Sequence, residues 1–197
     1  MKLEKNSKAC VVVAHPDDET IWMGGTILLN PQVDWTIITL CRASDADRAP
    51  KFFKVCKHYG AHGEMADLDD LGKVSDEKWE CDAEKIILEK IGNQKFDYIF
   101  THGSNGEYGH QNHKNLHRVM SRLKRRRSFT KACLFYFHFK RIYRLRPFMK
   151  ARKNPDVVIE LAENIYQEKR KIMSEIYGFD PNGIDINYCT RPEAFVL

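Results

Sequence analysis

Apolar and polar positions along the chain fall into successive blocks, some with the pattern of a β-strand and others with the pattern of an α-helix. The first block, ACVVVA, is a continuous β-branched run, typical of a parallel strand buried on both faces of a sheet. The next block, DETIWMGGTILLN, has a helical pattern, and Asp17 or Asp18 can cap its start. The same criteria predict later strands in DWTIITLC, GEMADL, FDYIFTHG and KACLFYFHF. They predict later helices in APKFFKVCKHYG, SDEKWECDAEKIILEKIGN and HQNHKNLHRVMSRLKRRR, and a last helix over about residues 158–177.

This order of strands and helices predicts an α/β fold with a mainly parallel sheet flanked by helices. The C-terminal stretch INYCTRPEAFVL is expected to add an edge strand or to pack as coil. Binding sites in parallel sheets lie at the carboxyl ends of the strands. That rule brings residues 15–18, Arg42 and residues 102–113 to one rim of the sheet, after the first, second and fourth strands.

The length and the cysteine content indicate one domain in a reducing compartment. A chain of 197 residues is expected to form a single domain over residues 1–197 and to bury roughly 70% of its unfolded surface. The six cysteines include no CxxC pair, so we expect free thiols. No apolar run is long enough for a signal peptide or a membrane span, and we therefore expect a cytoplasmic protein.

Positive charge is concentrated in one segment of the chain. The net charge is +5, yet residues 114–153 contain fifteen Lys or Arg and no Asp or Glu. Three interpretations stay open for this segment: a solvated helix and loop face, a collar that attracts an anionic substrate, and a nucleic-acid patch. Its stretch RIYRLRPF interleaves aromatic residues with arginine, which suits stacking on a sugar or a base.

The stretch HPDDE closes the first strand and offers an imidazole and three carboxyls. Histidine and carboxylate are common zinc ligands, and a catalytic zinc usually has three protein ligands and one open position. His15 and one aspartate can supply two of the ligands. Because Asp17 and Asp18 are adjacent, their side chains diverge, so one can bind metal while the other acts as a general base. Glu19 lies in the first helical turn, where the helix dipole alone can account for it.

The stretch NGEYGHQNH after the fourth strand offers a third ligand. His110 and His113 are three residues apart at a predicted helix start, so they share one face of that helix. The helix N-terminus contributes a positive field, which suits a developing oxyanion. The two stretches together predict a metal-assisted hydrolase site at the rim of the sheet.

Three further features have structural explanations. Gly24–Gly25 lacks a P-loop or GxGxxG context, so we expect close packing of its helix on the sheet. His102, at the end of the fourth strand, is expected to be a core residue or to support a ligand. His117 is expected on a helix surface.

The two paired motifs resemble those of a known family. With AHPDDE after the first strand and YGHQNH after the fourth, the sequence resembles the PIG-L/LmbE-like zinc-dependent N-deacetylases, which act on N-acetylglucosaminyl conjugates. Weaker support comes from TLCR after the second strand, and from IYGFD and PEAF near the end. The resemblance spans most of the chain in order and implies a single Rossmann-like domain.

The resemblance also implies a reaction and a metal site. It implies that His15, Asp18 and His113 bind Zn²⁺ and that Asp17 is the base that deprotonates the zinc-bound water. The implied reaction is hydrolysis of a small-molecule N-acetyl sugar conjugate to acetate and a free amine. Another divalent ion such as Fe²⁺ also suits this ligand set.

Three more residues match positions with roles in the family. His110 is implied to stabilise the tetrahedral intermediate or to protonate the leaving amine. Tyr108 is implied to polarise the amide carbonyl, and Arg42 to hold a substrate hydroxyl or phosphate group. The chain departs from many members at Asn112, where they have aspartate. An amide cannot stabilise an imidazolium electrostatically, so this departure bears on the protonation of His110.

Two other classes of function stay open. A non-catalytic binding module on the same fold would use residues 114–153 to bind nucleic acid or an anionic surface, and metal content distinguishes it from an enzyme. A magnesium phosphohydrolase would use Asp17 and Asp18. It would leave His15 and His113 without a role, because Mg²⁺ prefers oxygen ligands.

Overall fold

The computed structural model describes residues 1–91, 94–126, 128 and 132–197. In these residues the strands are β1 (Lys8–Val13), β2 (Asp34–Cys41), β3 (His62–Leu68), β4 (Tyr98–Thr101), β5 (Cys133–Phe137), β6 (Phe139–Ile142), β7 (Phe148–Ala151), β8 (Val157–Ile159) and β9 (Glu193–Val196). The helices are α1 (Asp18–Leu28), α2 (Arg48–Tyr59), α3 (Asp76–Ile91), α4 (Gly106–Gly109), α5 (Gln111–Arg125), α6 (Glu163–Lys171) and α7 (Ile184–Tyr188), with a π-helical turn over Ile172–Ile176. The predicted end of α3 at Gly92 lies outside the described residues.

Seven strands form one sheet in the order β3-β2-β1-β4-β5-β9-β8. The strands β1 to β5 are parallel to one another, and β9 pairs antiparallel with both β5 and β8. The predicted α/β fold with a mainly parallel sheet is therefore confirmed. The chain leaves β1 in one direction to β2 and returns on its other side at β4, and this reversal opens a crevice at the carboxyl ends of β1 and β4.

Strand β1 is buried on both faces because helices cover each side of the sheet. Val11 and Val13 pack in a cluster with Trp22 of α1 and Phe52 of α2. Cys10 and Val12, which point the other way, pack in a second cluster with residues of α3 and α5. The continuous apolar run in the sequence reflects this double burial. It also holds the end of β1, where the polar motif begins, at a fixed position.

The C-terminal part of the sheet differs from the prediction. A helix from residue 158 is wrong before Glu163, because residues 157–159 form strand β8, which pairs with β9. Val158 lies opposite Ala194 in that pair. A short β-branched run is stable as a strand when a neighbouring edge is available, and β9 supplies that edge. Strand β9 itself lies between β5 and β8, rather than at the edge of the sheet as expected.

The strand predicted in KACLFYFHF divides at His138. Strand β5 ends at Phe137, and Phe139 begins β6, which pairs antiparallel with β7 to form a hairpin outside the main sheet. The sequence gives no period-two apolar pattern in this basic stretch, so the hairpin was not predicted. It places Arg141 at the wall of the crevice.

Close packing accounts for Gly24–Gly25. A Cβ atom on Gly24 would lie 2.8 Å from the Tyr59 hydroxyl, and one on Gly25 would lie 2.5 Å from a methyl carbon of Leu161. Both distances are shorter than real contacts allow, so a side chain at either position would displace its neighbour. This agrees with the expected packing role.

A buried ion pair ties α1 to the C-terminal part of the chain. The ammonium of Lys169 donates to Glu193 Oε1 at 2.7 Å and to the Thr190 carbonyl at 3.0 Å. The same carboxylate accepts the backbone N–H groups of Gly25 and Thr26 at 2.8 and 2.7 Å. Every polar group in this set is paired, which is the condition for burying two charges.

The structure also bears on the cysteines and on membrane-spanning helices. All six cysteines lie in described residues and are free. None of the described helices combines the length and the apolar composition that crossing a membrane requires.

Replacing Lys169 with methionine tests the buried pair. It leaves the Glu193 carboxylate buried without its cation, which typically destabilises a fold by about 3–5 kcal/mol. We expect Lys169→Met to lower the free energy of unfolding in urea by that amount. Lys171→Met, at an exposed position of the same helix, is the control and should change it by less than about 0.5 kcal/mol. Equal stability of the two variants would show that the pair does not stabilise the fold.

Candidate metal centre and active site

The side chains of His15, Asp18 and His113 meet in the crevice between the ends of β1 and β4. His15 Nδ1 lies 3.2 Å from Asp18 Oδ2 and 3.2 Å from His113 Nε2, and that nitrogen lies 3.3 Å from the same Asp18 oxygen. Ligands at about 2.0 Å from one tetrahedral zinc ion would lie about 3.3 Å from each other. The three atoms therefore form a triangle that fits one Zn²⁺ ion, and the structure brings the three expected ligands together.

A carboxylate orients each of the two imidazoles from behind. His15 Nε2 lies 2.7 Å from Asp70 Oδ1, and His113 Nδ1 lies 2.7 Å from Glu107 Oε2. Each contact places the ring proton on the outer nitrogen, which leaves the inner nitrogen free to bind a cation. Although burial opposes ionisation, hydrogen bonds from His15 and Arg42 lower the pKa of Asp70 to about 2. Both outer carboxylates are therefore acceptors at neutral pH, since the pKa of Glu107 is also lowered to about 2.

His102 supports this arrangement from the core. Its Nδ1 lies 2.9 Å from Glu107 Oε2, and its Nε2 accepts the backbone N–H of Ala14 at 3.0 Å. Its ring stacks on that of His113, with 3.7 Å between the centroids. Because both ring nitrogens of His102 have partners, the contacts agree with a supporting residue rather than a ligand. His117 is half-buried and contacts the His102 carbonyl from α5.

Strained backbone marks the ends of three strands at the site. Asp17 follows β1 with φ 146°, Arg42 follows β2 with φ 68°, and Glu107 follows β4 with φ 53°. A non-glycine residue in this region costs about 1–3 kcal/mol and persists only where its surroundings hold it. The strain thus coincides with the polar residues of the crevice.

Neither aspartate caps α1, which corrects the expectation from the sequence. Asp17 stands at the N-cap position without a side-chain cap bond, because its backbone angle turns the carboxylate toward Arg48, whose Nη1 donates to Oδ2 at 2.7 Å. Asp18 instead accepts from Trp22 Nε1 and from the backbone N–H of His15, each at 2.9 Å. Burial and the adjacent Asp18 carboxylate raise the pKa of Asp17 well above its usual range, and Arg48 opposes this.

A cavity of ≈ 340 Å³ opens over the three candidate ligands. It is lined by six of the seven residues expected at the site, namely His15, Asp17, Asp18, Arg42, Tyr108 and His110. The seventh, His113, is fully buried beneath it. The structure therefore brings the two motifs and the strand-two arginine to one place.

His110 and Asn112 differ from what the family pattern implies. The Nδ1 atom of His110 accepts the backbone N–H of Asn112 at 3.2 Å and so caps α5. The ring is therefore neutral, with its proton on Nε2. Burial and the neighbouring imidazoles of His113 and His15 lower the pKa of His110 to about 4. The side-chain amide of Asn112 lies 3.4 Å from Asp70 Oδ1 rather than against this ring.

Three residues of the site were missed from the sequence. Asp70 lies in the loop after β3 and accepts hydrogen bonds from Arg42 Nε and Nη2 at 2.7 Å each. The rule that places sites at strand ends could have included it. Glu107 stands inside the motif NGEYGHQNH and could have been found as a second carboxylate beside two histidines. Arg48 carries no signal in the sequence, because its contact with Asp17 depends on how α2 packs.

The site can now be compared with known proteins. Residues 10–124 match the family model PIG-L, described as GlcNAc-PI de-N-acetylase. The chain belongs to the PIG-L family. The matched segment contains both histidine motifs, and the resemblance noted from the sequence is thereby confirmed. An uncharacterized protein of Acanthamoeba polyphaga mimivirus is 23% identical over 186 residues, which cover 86% of this chain and 75% of that protein.

Solved structures share the fold of this PIG-L family chain. The N,N'-diacetylchitobiose deacetylase from Pyrococcus horikoshii has a TM-score of 0.63 at 15% identity, covering 96% of this chain and 82% of that one. A deacetylase of teicoplanin biosynthesis has a TM-score of 0.68 at 10% identity, covering 96% and 98%. The 4-carboxy-2-hydroxymuconate hydratase GalB from Pseudomonas putida has a TM-score of 0.60 at 13% identity, covering 85% and 77%. At these identities the likeness shows the fold alone.

Glu107→Gln tests the carboxylate behind the imidazoles. The amide keeps the shape but loses the charge that fixes two histidine rings, and such losses reduce metal affinity about 10–100-fold. We expect a drop of that size for Zn²⁺, measured by competition with a chromophoric chelator. The control is Glu89→Gln at an exposed position of α3, which should bind zinc like the unmodified protein. Unchanged zinc affinity in Glu107→Gln with an intact circular dichroism spectrum would contradict the orienting role.

Proposed function

We propose that this protein is a metal-dependent hydrolase that removes the acetyl group from an N-acetylated sugar conjugate of the N-acetylglucosamine type. The observation that carries the proposal is the triangle of His15, Asp18 and His113 beneath a cavity that also presents Asp17. The family description as a GlcNAc-PI de-N-acetylase supports it. Two deacetylases among the solved structures with this fold agree with it.

The donor set favours zinc as the metal. His15 and His113 offer nitrogen and Asp18 offers oxygen, the ligands that a catalytic Zn²⁺ takes while keeping one position open. Fe²⁺ accepts the same donors. Magnesium fits poorly, because two of the three donor atoms are imidazole nitrogens. Zinc bound here would supply Lewis acidity, which lowers the pKa of water toward about 7 and polarises a carbonyl.

Asp17 has the position of the general base. It lies beside Asp18 on the cavity wall, and its side chain is 15% exposed. Arg48 binds its Oδ2 and thereby fixes the carboxylate, which leaves Oδ1 to accept a proton from the attacking water. The same oxygen returns that proton to the leaving nitrogen when the C–N bond breaks. The products are acetate and a free amine.

Tyr108 and His110 have the positions of oxyanion donors. Tyr108 packs against His113 and Tyr188, with ring centroids 5.4 and 5.5 Å apart. His110 holds its proton on Nε2, because Nδ1 accepts a backbone N–H. Two neutral donors at the cavity wall stabilise a developing oxyanion without needing a charge. Of the two roles that the family pattern allows His110, we therefore assign the stabilising one and leave proton delivery to Asp17.

The binding-module alternative is weakened by the surroundings of the basic helix α5. Arg118 Nε donates to Glu80 at 2.6 Å, and Arg122 and Arg126 donate to Glu84 at 2.8 and 2.6 Å. Glutamates of helix α3 thus pair with three of the arginines on and just after α5. A nucleic-acid patch on that helix would need those charges free.

An acetate-release assay tests the proposed function. Protein stripped with chelator and then reloaded with Zn²⁺, Fe²⁺ or Mg²⁺ is given a panel of N-acetylglucosamine conjugates. We expect acetate release with Zn²⁺ or Fe²⁺ and a return to background with chelator or Mg²⁺. A protein that takes up no metal and releases no acetate would contradict the proposal and favour the binding module. Equal activity with and without metal would contradict the metal dependence.

Two variants separate metal binding from proton transfer. Asp17→Asn should keep one equivalent of zinc but lower kcat by roughly 10²–10⁴-fold, because it removes the base. His113→Ala should lose both zinc and activity, because it removes a ligand. Asp47→Asn, at the exposed N-cap position of α2, controls for loss of one carboxylate and should behave normally. Near-normal turnover in Asp17→Asn would remove that residue from the role of base.

A further inference from the structure

Glu19 is buried more deeply than a role with the helix dipole explains. It lies in the first turn of α1 and is fully buried. A first-turn carboxylate benefits from the dipole while it stays in water, whereas a buried carboxylate needs hydrogen-bond donors. Its Oε1 accepts the hydroxyls of Thr20 at 2.6 Å and Tyr177 at 2.9 Å. Its Oε2 accepts the backbone N–H of Asp17, the proposed base, at 3.1 Å.

The bond between Glu19 and Asp17 resembles one half of a capping box. In a complete capping box, an acidic side chain of the first turn accepts the N-cap N–H, and the N-cap side chain accepts an N–H of that turn in return. Asp17 stands at the N-cap and makes no such return bond. Its carboxylate instead contacts Arg48 at the cavity wall. The half that is present therefore fixes the backbone of Asp17 and leaves its carboxylate to the cavity.

Contacts at three points hold Asp17 in a backbone conformation that aspartate rarely adopts. Its φ is 146°, and such a conformation persists only where its surroundings maintain it. The carbonyl of Asp17 accepts the backbone N–H groups of Thr20 and Ile21 at 2.9 Å each. Arg48 binds its carboxylate, and Glu19 binds its N–H. Because φ relates the direction of the N–H to that of the side chain, the bond to Glu19 helps to set where the carboxylate points.

The C-terminal part of the chain supports Glu19 and Arg48 together. Tyr177 directly follows the π-helical turn and is buried. Its hydroxyl donates to Glu19, and its ring centroid lies 5.9 Å from the guanidinium carbon of Arg48. The ring centroid of Phe179 lies 4.6 Å from the same carbon. One segment thus contacts both of the residues that hold Asp17 from its two ends.

We propose that Glu19, anchored by Tyr177, is a positioning residue that directs the Asp17 carboxylate into the cavity. The inference rests on the proposed function, in which Asp17 is the general base. Glu19 is fully buried behind the cavity wall, so it acts through Asp17 rather than on the substrate. Its removal therefore affects proton transfer more than it affects the binding of substrate or metal.

Two substitutions of similar size at Glu19 test the positioning role. Glu19→Met removes the acceptor for the Asp17 N–H. In the zinc-loaded protein, kcat for the best N-acetylglucosamine conjugate should fall roughly 10–100-fold, because displaced catalytic groups lose rate on this scale. KM and the affinity for Zn²⁺ should stay unchanged. Glu19→Gln keeps an oxygen that can accept this N–H and should recover most of the loss. Equal losses of kcat in both variants, or loss of zinc in parallel with kcat, would overturn the proposal.

Combination with Asp17→Asn tests whether Glu19 acts through the base. Residues that act as a unit have non-additive effects on turnover. In the Asp17→Asn background, Glu19→Met should therefore cause little further loss of kcat. A further loss as large as the one measured in the presence of Asp17 would overturn the proposal.

Tyr177→Phe tests the anchor and stays informative if Glu19→Met does not fold. It removes the hydroxyl bound to Glu19 and keeps the ring beside Arg48, so kcat should fall without a change in KM. Tyr136→Phe is the matched control, because Tyr136 is also buried and its hydroxyl contacts Ser121 at 3.0 Å, remote from the base. That variant should keep its kcat. Equal kcat values in the two variants would overturn the anchoring role of Tyr177.

Nuclear magnetic resonance measures the contact without turnover. Isotope labels on the proline carbonyl carbon and the aspartate nitrogen select the two Pro–Asp pairs of the chain, which end in Asp17 and Asp156. Asp17→Asn identifies which signal is that of Asp17. Its amide proton should move upfield in Glu19→Met, because a hydrogen bond to a carboxylate is lost, and should move less in Glu19→Gln. The signal of Asp156, whose N–H donates to the Phe195 carbonyl, is the internal control.

The two readouts separate this inference from the proposed function. An Asp17 amide signal that does not move in Glu19→Met, or a normal kcat in that variant, would overturn the positioning role and leave the proposed function intact. Absence of acetate release from every substrate would overturn the proposed function. The amide signal would then still decide whether Glu19 holds Asp17.

Discussion

The contact of one buried carboxylate with imidazoles from two distant segments of the sequence organises this structure. Asp18 is 2% exposed, and its Oδ2 lies within 3.5 Å of nitrogens of His15, His102 and His113. Although burial opposes ionisation, His113 and His102 lower the pKa of Asp18 well below its usual range. A buried charge needs such compensation. Carboxylates and imidazoles alternate outward from it, and the centre of that network has the donors for a divalent cation.

The parallel sheet brings these side chains together, because the carboxyl ends of neighbouring parallel strands lie side by side. The motifs that carry His15 and His113 are separated by most of a hundred residues, yet they follow the adjacent strands β1 and β4. Strand β1 is fixed by apolar packing on both faces, so the turn after it can hold strained backbone at Asp17. The strained backbone at Glu107 directs its carboxylate to the outer nitrogens of His102 and His113. Core packing thus holds the polar side chains after β1 and β4 in positions that an isolated loop would not keep.

The sequence predicts those parts of the site that depend on residues close together in the chain. A β-branched run followed by HPDDE identifies a buried strand and the polar turn after it, and the rule on strand ends then places His110 and His113 beside it. Contacts between elements that are remote in sequence could not be read in this way. Arg48 meets Asp17 only because α2 packs on the sheet, and Arg141 reaches the cavity only because β6 folds back at His138. Val157–Ile159 becomes a strand because β9 lies beside it, whereas a three-residue run is too short for its own pattern to identify a strand.

The fold by itself does not decide the chemistry. GalB, described as a hydratase, has this fold at a TM-score of 0.60, and proteins described as deacetylases have it at 0.63 and 0.68. Function therefore has to be argued from the side chains at the strand ends. In this chain two nitrogens and one oxygen are set at the spacing of a zinc ion, and a strained aspartate stands beside them with its carboxylate fixed by an arginine. That combination suits hydrolysis, because it pairs a Lewis-acid site with a base that can take a proton from water and give it to an amine.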